Sequence, residues 1–202
     1  PGNLRMDEAT LRVFRNLFHG RAERMVVRRW MLPEKEDPDR PAAPFTVSSP
    51  TSGQRAQIHA ILGMPPEDDG FLARMPLLPG ESRFFSAPDA HEAILPAGAA
   101  KALGLDTSDV GSAELVFHGH RLRLVGLLDG DQLRTIRDLN AQSILPIKDI
   151  EKAGADQKQA AENLAEDDPT AKKSGVFFVD PASLLVLPER TAADLGAEPF
   201  SV

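Results

Sequence analysis

The chain predicts an α+β domain in which a mixed or antiparallel sheet carries short helices. Three observations point there. The phrase Leu-Pro, seven residues, Gly occurs three times, as ILPAGAAKALG (Leu95, Pro96, Gly104), ILPIKDIEKAG (Leu145, Pro146, Gly154) and VLPERTAADLG (Leu187, Pro188, Gly196). The stretch SAELVF-HG-HRLRLVGLLD at 112–129 alternates apolar and polar residues on both sides of His118-Gly119. QRAQIHAILGM at 54–64 sets Ala56, Ile58, Ala60 and Leu62 against Arg55, Gln57 and His59, the period of a strand.

Each Leu-Pro phrase reads as an apolar strand that stops at Pro, which donates no backbone hydrogen bond, then about two helical turns closed by a left-handed Gly. The copies start 50 and 42 residues apart. A solenoid needs a fixed period, so recurrence of a favoured strand-to-helix turn is the better account.

The remaining elements follow in order. Residues 7–20 predict a helix with Leu11, Phe14, Leu17 and Phe18 on one face, acid at its start and Gly20 at its end. Residues 22–32 read as a strand. Residues 33–44 hold four prolines and six charges and read as a loop. PFTVSS at 44–49 is a short strand, and 65–70 is a turn. At 112–129, Leu115 and Phe117 share a face, Leu122 and Leu124 alternate with Arg121 and Arg123, and Gly119 supplies the positive φ of a tight hairpin. The polar run 148–175 favours helix to about Leu164 and then a loop. GVFFVDPASLLVLP at 175–188 reads as strand, turn, strand.

With 202 residues and 42% hydrophobic content, the chain can bury one large core or two small ones. A net charge of −7 gives no electrostatic ground for binding nucleic acid. The absence of Tyr and the single Trp30 supply few stacking platforms for single strands. With no cysteine, thiol catalysis, disulfides and zinc–thiolate sites are excluded within the chain. No run reaches the roughly 18–20 apolar residues of a membrane helix, and no signal peptide is visible. The chain opens on Pro1-Gly2 rather than Met, which reads as a processed or engineered boundary within something longer.

Chemistry-bearing clusters are sparse. His118-Gly-His120 could offer two rings, with His91 as a third ligand, but a polar hairpin turn explains the pair without metal. Glu67-Asp68-Asp69 and Glu166-Asp167-Asp168 lack the alternating oxygen ligands of an EF-hand and read as solvated turns. No G-x-S-x-G, S-x-x-K, H-E-x-x-H or P-loop occurs, and Ser112, Ser143 and Ser183 have no base nearby in sequence. Arg21, Arg24, Arg28 and Arg29 read as a solvated face. No catalytic residue, metal site or cofactor is expected.

Apolar residues in Pro/Gly-rich chain are more suggestive. Phe71, Leu72, Met75, Phe84 and Phe85 either pack beneath a loop or form a protein-contact patch.

The middle of the chain resembles a known family. AQIHAILGMPPEDDGFLARMPLLPGESRFFSA (56–87) is similar to a strand ending in a Gly-x-x-Pro turn that leads to a Leu-x-x-Gly-Arg-x-Phe phrase. DAHEAILPAGAAKALGLDTSDVGSAELVFHGHRLRLVGLLD (89–129) is similar to a succession of an acid, two apolar residues, Ala-x-x-Leu-Gly, a Gly-initiated strand and a Val-Val-Gly strand. Ala99 or Ala100, Leu103 and Gly104 match the short helix. Gly111 matches the opening glycine, and Leu124, Val125 and Gly126 match the last strand. This succession resembles the extracytoplasmic, periplasmic core domain of MacB/FtsX/LolE-type ABC transporter permeases.

That resemblance implies a non-enzymatic α+β domain spanning 1–202. It implies two lobes, about 1–65 plus 150–202 and 66–149. The domain would face the periplasm or cell exterior from a bacterial inner-membrane protein. It would answer a cytoplasmic ABC ATPase through membrane helices outside this chain, and act on a substrate or on a periplasmic or lipoprotein partner. Two other readings stand beside it. The Leu-Pro-to-Gly-Leu phrase before a hairpin also resembles AbrB-like swapped-hairpin barrels, which implies a free-standing binding module. A hydrolase with carboxylates assembled from distant loops is the third.

Overall fold

The computed structural model describes residues 12–13, 16, 28–33, 42–65, 73–136, 147–149 and 176–200. Arg12, Val13 and Asn16 are helical and exposed. The other positions of the helix predicted over 7–20 lie outside the described residues, as do 66–72, 137–146 and 150–175.

The strands are β1 (Arg28–Met31), β2 (Phe45–Ser48), β3 (Arg55–Ile58), β4 (Ala60–Met64), β5 (Glu92–Pro96), β6 (Glu114–Phe117), β7 (His120–Leu128), β8 (Ile147–Asp149), β9 (Val176–Phe178), β10 (Leu184–Pro188) and β11 (Glu198–Phe200). Among the described residues the sheet carries three short helices, α1 (Ala97–Ala102), α2 (Gly130–Thr135) and α3 (Glu189–Asp194). Nine strands make one mixed sheet in the order β11-β1-β4-β10-β5-β7-β6-β2-β3, and β8 pairs with β9 separately. The fold is α+β, as the sequence predicts.

This sheet cannot lie flat. β4 and β3 are six strand spacings apart in the order, which in a flat sheet is roughly 29 Å. Only His59 separates them in the chain, so Ile58 and Ala60 lie within about 7 Å of each other. The sheet therefore curls until β3 and β4 meet, and β1 and β11 extend from β4 as a side wing. The outward positions Arg55, Gln57, Thr46, Glu114, Arg121 and Arg123 are exposed. The opposite face encloses Val47, Ile58, Ile61, Leu95, Leu115, Phe117, Leu122, Leu124, Leu185 and Leu187. Ala100 of α1 and Leu103, which follows it, join that cluster.

Two irregularities make the curl. A single continuous strand over 54–64 is not what forms. The chain bends at His59, whose N–H bonds Ser183 O at 2.8 Å. Inward positions then fall at Ile58 and Ile61, an odd spacing, because the bend shifts the alternation by one. β7 slips its register against β5 between Ala93 and Ile94. Its inward residues accordingly pass from Leu124 to Leu127.

Beyond the bend, every residue of β4 is buried. A second cluster covers its outer side, with Trp30, Ala60, Leu62, Met64, Ile94, Val125, Leu184 and Val186 on the strands and Met75, Phe85 and Leu133 above them.

The first and third Leu-Pro phrases fold alike. Pro96 (φ −61°, ψ 143°) and Pro188 (φ −57°, ψ 146°) each end a strand and stand as the residue before the helix, kept out of the helical region by ψ. They sit one position earlier than the first helical turn that their φ would also suit. Gly104 (φ +72°) and Gly196 (φ +94°) take the left-handed position. Leu105 N bonds Ala100 O and Gly104 N bonds Lys101 O, and Ala197 N to Ala192 O with Gly196 N to Ala193 O repeats the pattern. Both are Schellman caps, which occupy carbonyls that a helix end leaves unpaired. The second phrase differs. Ile147–Asp149 is a strand paired with β9 where the phrase predicts the start of a helix. Three residues committed to a β ladder cannot also turn helically. Its Leu145, Pro146 and Gly154 lie outside the described residues.

The hairpin β6–β7 forms at the predicted turn. His118 (φ +47°) and Gly119 (φ +83°) are both left-handed, as a two-residue type I′ turn demands.

Candidate contact surface

The stretch 75–92 straps the outer side of the sheet. β6 pairs with the first half of β7 only, which leaves that edge of β7 open further on. The strap fills it: Leu78 N bonds Leu127 O (2.8 Å) and Arg83 N bonds Val125 O (2.9 Å). Leu77 bridges Leu128 in antiparallel sense. Beyond β5, the strap also reaches α3, where Arg190 N bonds Pro88 O and Thr191 Oγ1 bonds Ala90 O.

This explains the apolar residues of the strap. Met75 and Phe85 are buried, at 6% and 7% exposure, in the cluster beneath it, and Phe84 packs against that cluster half-buried. Their side chains cover an outer sheet face that is itself apolar, so packing beneath a loop is their first role. Phe71 and Leu72 lie outside the described residues.

One charged group anchors the strap. Glu92 is 4% exposed at the start of β5. Arg83 holds it in a fork, Nη2 to Oε1 at 2.6 Å and Nη1 to Oε2 at 3.3 Å. Ser86 adds its backbone N–H (2.8 Å) and its hydroxyl (3.1 Å). Burial pushes the Glu92 carboxyl up, but the Arg83 hydrogen bond, both Ser86 bonds and the Arg83 charge outweigh it. The carboxyl titrates below the usual carboxylate range. Such a group stays ionised at neutral pH and suits a fastener rather than a proton-transfer catalyst.

The other candidates are engaged locally. Ser112 and Ser183 donate to the carbonyls of Asp109 and Asp180 three residues back. Asp106 accepts from the Ser108 hydroxyl and N–H, which hold its carboxyl below the ordinary value as the cap of a 3₁₀ turn. His118 stacks on Phe117 with centroids 4.2 Å apart and planes at 12°. Among the described residues no three His, Cys, Asp or Glu side chains gather as a metal would need. Glu67-Asp68-Asp69, Glu166-Asp167-Asp168, Ser143, Arg21 and Arg24 lie outside the described residues.

Arg29 corrects the solvated-face reading of the basic run. It is 8% exposed, and its Nε donates to Glu189 Oε1. β1 buries Arg29 together with its neighbour Trp30, and the apolar company of Trp30 was the available signal. Its partner, far along the chain, could not be read from spacing.

Fold and site together define an α+β domain built on a closed mixed sheet, with a strapped outer face. No family model matches the chain, and no curated protein does. Among solved structures it is similar to the periplasmic region of MacB from Actinobacillus actinomycetemcomitans, at 11% identity and a TM-score of 0.48, covering 98% of this chain and 62% of that one. It is similar also to the extracellular domain of the noncanonic ABC-type transporter YknZ from Gram-positive bacteria, at 11% identity and a TM-score of 0.48, covering 98% and 70%. The chain thus spans about three fifths of the first of these structures. Among the described residues no helix is long and apolar enough to cross a membrane.

Proposed function

We propose that this chain is the extracytoplasmic domain of an ABC transporter permease in a bacterial inner membrane. It passes ATP-driven motion to a substrate or to a periplasmic or lipoprotein partner, and has no catalysis of its own. The motifs at 89–129 motivate the reading. One structural observation carries it: β1 and β11 are antiparallel neighbours, with Arg28 opposite Phe200. The chain before Arg28 and the chain after Phe200 therefore leave the sheet side by side, as a domain suspended between two successive membrane helices requires. The motion would come from a cytoplasmic ABC ATPase acting through those helices.

In this reading 1–202 is one domain, and its two lobes meet along two seams, β10–β5, where Val186 opposes Ile94, and β2–β6, where Val47 opposes Phe117. The partner contact, expected at Phe71, Leu72, Met75, Phe84 and Phe85, would use Phe84 on the strap, with Met75 and Phe85 supporting it from below.

Topology tests the proposal. The chain has no cysteine, so Arg123→Cys on the exposed sheet face adds a unique label site within it. In cells making the intact protein, a membrane-impermeant maleimide should label that position relative to the unsubstituted parent. Labelling only after permeabilisation of the inner membrane overturns the proposal. The purified domain should show no nucleotidase or hydrolase turnover, and turnover abolished by one carboxylate substitution would sink the non-catalytic reading.

The closed sheet favours a second reading, a free-standing barrel that binds DNA. Tight, salt-sensitive gel shifts would support it.

A further inference from the structure

We propose that the ion pair between Arg29 and Glu189 is a latch that makes the barrel follow the paired chain ends. β11 is held by β1 and by no other strand among the described residues. β1 in turn lies on β4, with Arg29 opposite Gly63 and Trp30 opposite Leu62. The two-strand ribbon β1–β11 is thus the route by which displacement of either chain end reaches the barrel.

Arg29 ties three parts of that route together. It sits in β1, its Nε donates to Glu189 at the start of α3, and its Nη1 reaches Ala197 O at 3.5 Å, immediately before β11. Both side chains are largely buried, at 9% and 17% exposure. A pair out of water holds one geometry, because opening it leaves a desolvated charge behind. The notch around it is fitted. Gly63 has no Cβ, and an added one would stand 3.1 Å from Arg29 Cβ and 2.6 Å from Ala192 Cβ. α3 therefore lies close against β4 at the point where the ion pair crosses from strand to helix. β10 runs directly into α3 and pairs with β4 over Leu184–Pro188. A pull on the ribbon is delivered through Glu189 to the centre of the sheet.

As a device for passing motion, the latch rests on the transporter reading above. As a structural element it does not, and its test is separate.

Native-state hydrogen exchange on the 202-residue chain reads it directly. Glu189→Gln keeps the shape and removes the charge. Amides of 28–31, 198 and 200 should exchange at least tenfold faster, while those of β5, β7 and β10 keep their rates. Equal acceleration in every strand would mean that the pair only adds to overall stability, and unchanged ribbon rates would mean that it holds nothing. Either result overturns the latch. If Glu189→Gln does not fold, Arg29→Lys serves, since it keeps the charge and loses the fork. It should give the same order of exchange with a smaller change. A latch that fails here leaves the transporter reading to its labelling test. A failed labelling test leaves the latch standing as a feature of the fold.

Discussion

Gly63 and Ala192 are packed so closely that a Cβ on the glycine would lie 2.6 Å from the alanine Cβ. Neither atom can turn away, because a Cβ is fixed by its backbone. Gly63→Ala should therefore destabilise the domain by about 1–3 kcal/mol, the range of an overpacked core. Ala192→Gly in the same chain should recover part of that loss. Urea denaturation of both single variants and the double variant measures the coupling.

Gly104 closes α1 at φ +72°, and Gln54 Oε1 lies 3.0 Å from where its Cβ would stand. Gly104→Val should lower stability by about 1–2 kcal/mol, since a β-branched residue is poorly tolerated at positive φ. An unchanged melting temperature would show that the left-handed cap is not needed.

Glu92 gives the domain an acid limb. Its folded carboxyl titrates below its unfolded value, so its contribution is complete above the ordinary carboxylate range, near pH 4.3. It is lost as pH falls through the folded value. Glu92→Gln should cost about 2 kcal/mol at pH 7, discounted because Arg83 is half-exposed. It should also flatten the fall in stability below about pH 4. Melting curves from pH 7 to pH 2.5 compare the two proteins.

His118 carries two opposed effects. Its left-handed backbone favours Asn or Gly, whereas its ring stacks on Phe117 at 4.2 Å. His118→Asn should stay within about 0.5 kcal/mol of the parent, the turn gain offsetting the lost stack. His118→Val loses both and should cost about 1–2 kcal/mol. Chemical denaturation distinguishes the pair.

Local signals in the sequence proved legible where local physics decides. Pro and Gly delimit β5–α1 and β10–α3, and His118-Gly119 marks the hairpin. The bend at His59 was also written in the chain. After it, Ala60-Ile61-Leu62-Gly63-Met64 is a continuous apolar run, the mark of a strand buried on both faces, and reading only its even positions hid this. The second Leu-Pro phrase shows the reverse. ILPIKDIEKAG has the pattern of its two siblings, yet Ile147–Asp149 pairs with β9, because a tertiary partner overrides a short helical preference. The roles of Arg29 and Glu92 were not legible. One meets Glu189 across most of the chain, and the other meets an arginine within a strap whose path no periodicity records.

The position of β4 also governs when this protein can become itself. Ala60 pairs with Leu184, and Arg29 with Pro199. Early strands must wait for the last ones to be made, and closing such distant pairs slows folding. A ribosome releasing this chain, or a translocon threading it, would hold those early strands without these partners until β10 and β11 had emerged. Completion would arrive as one late event.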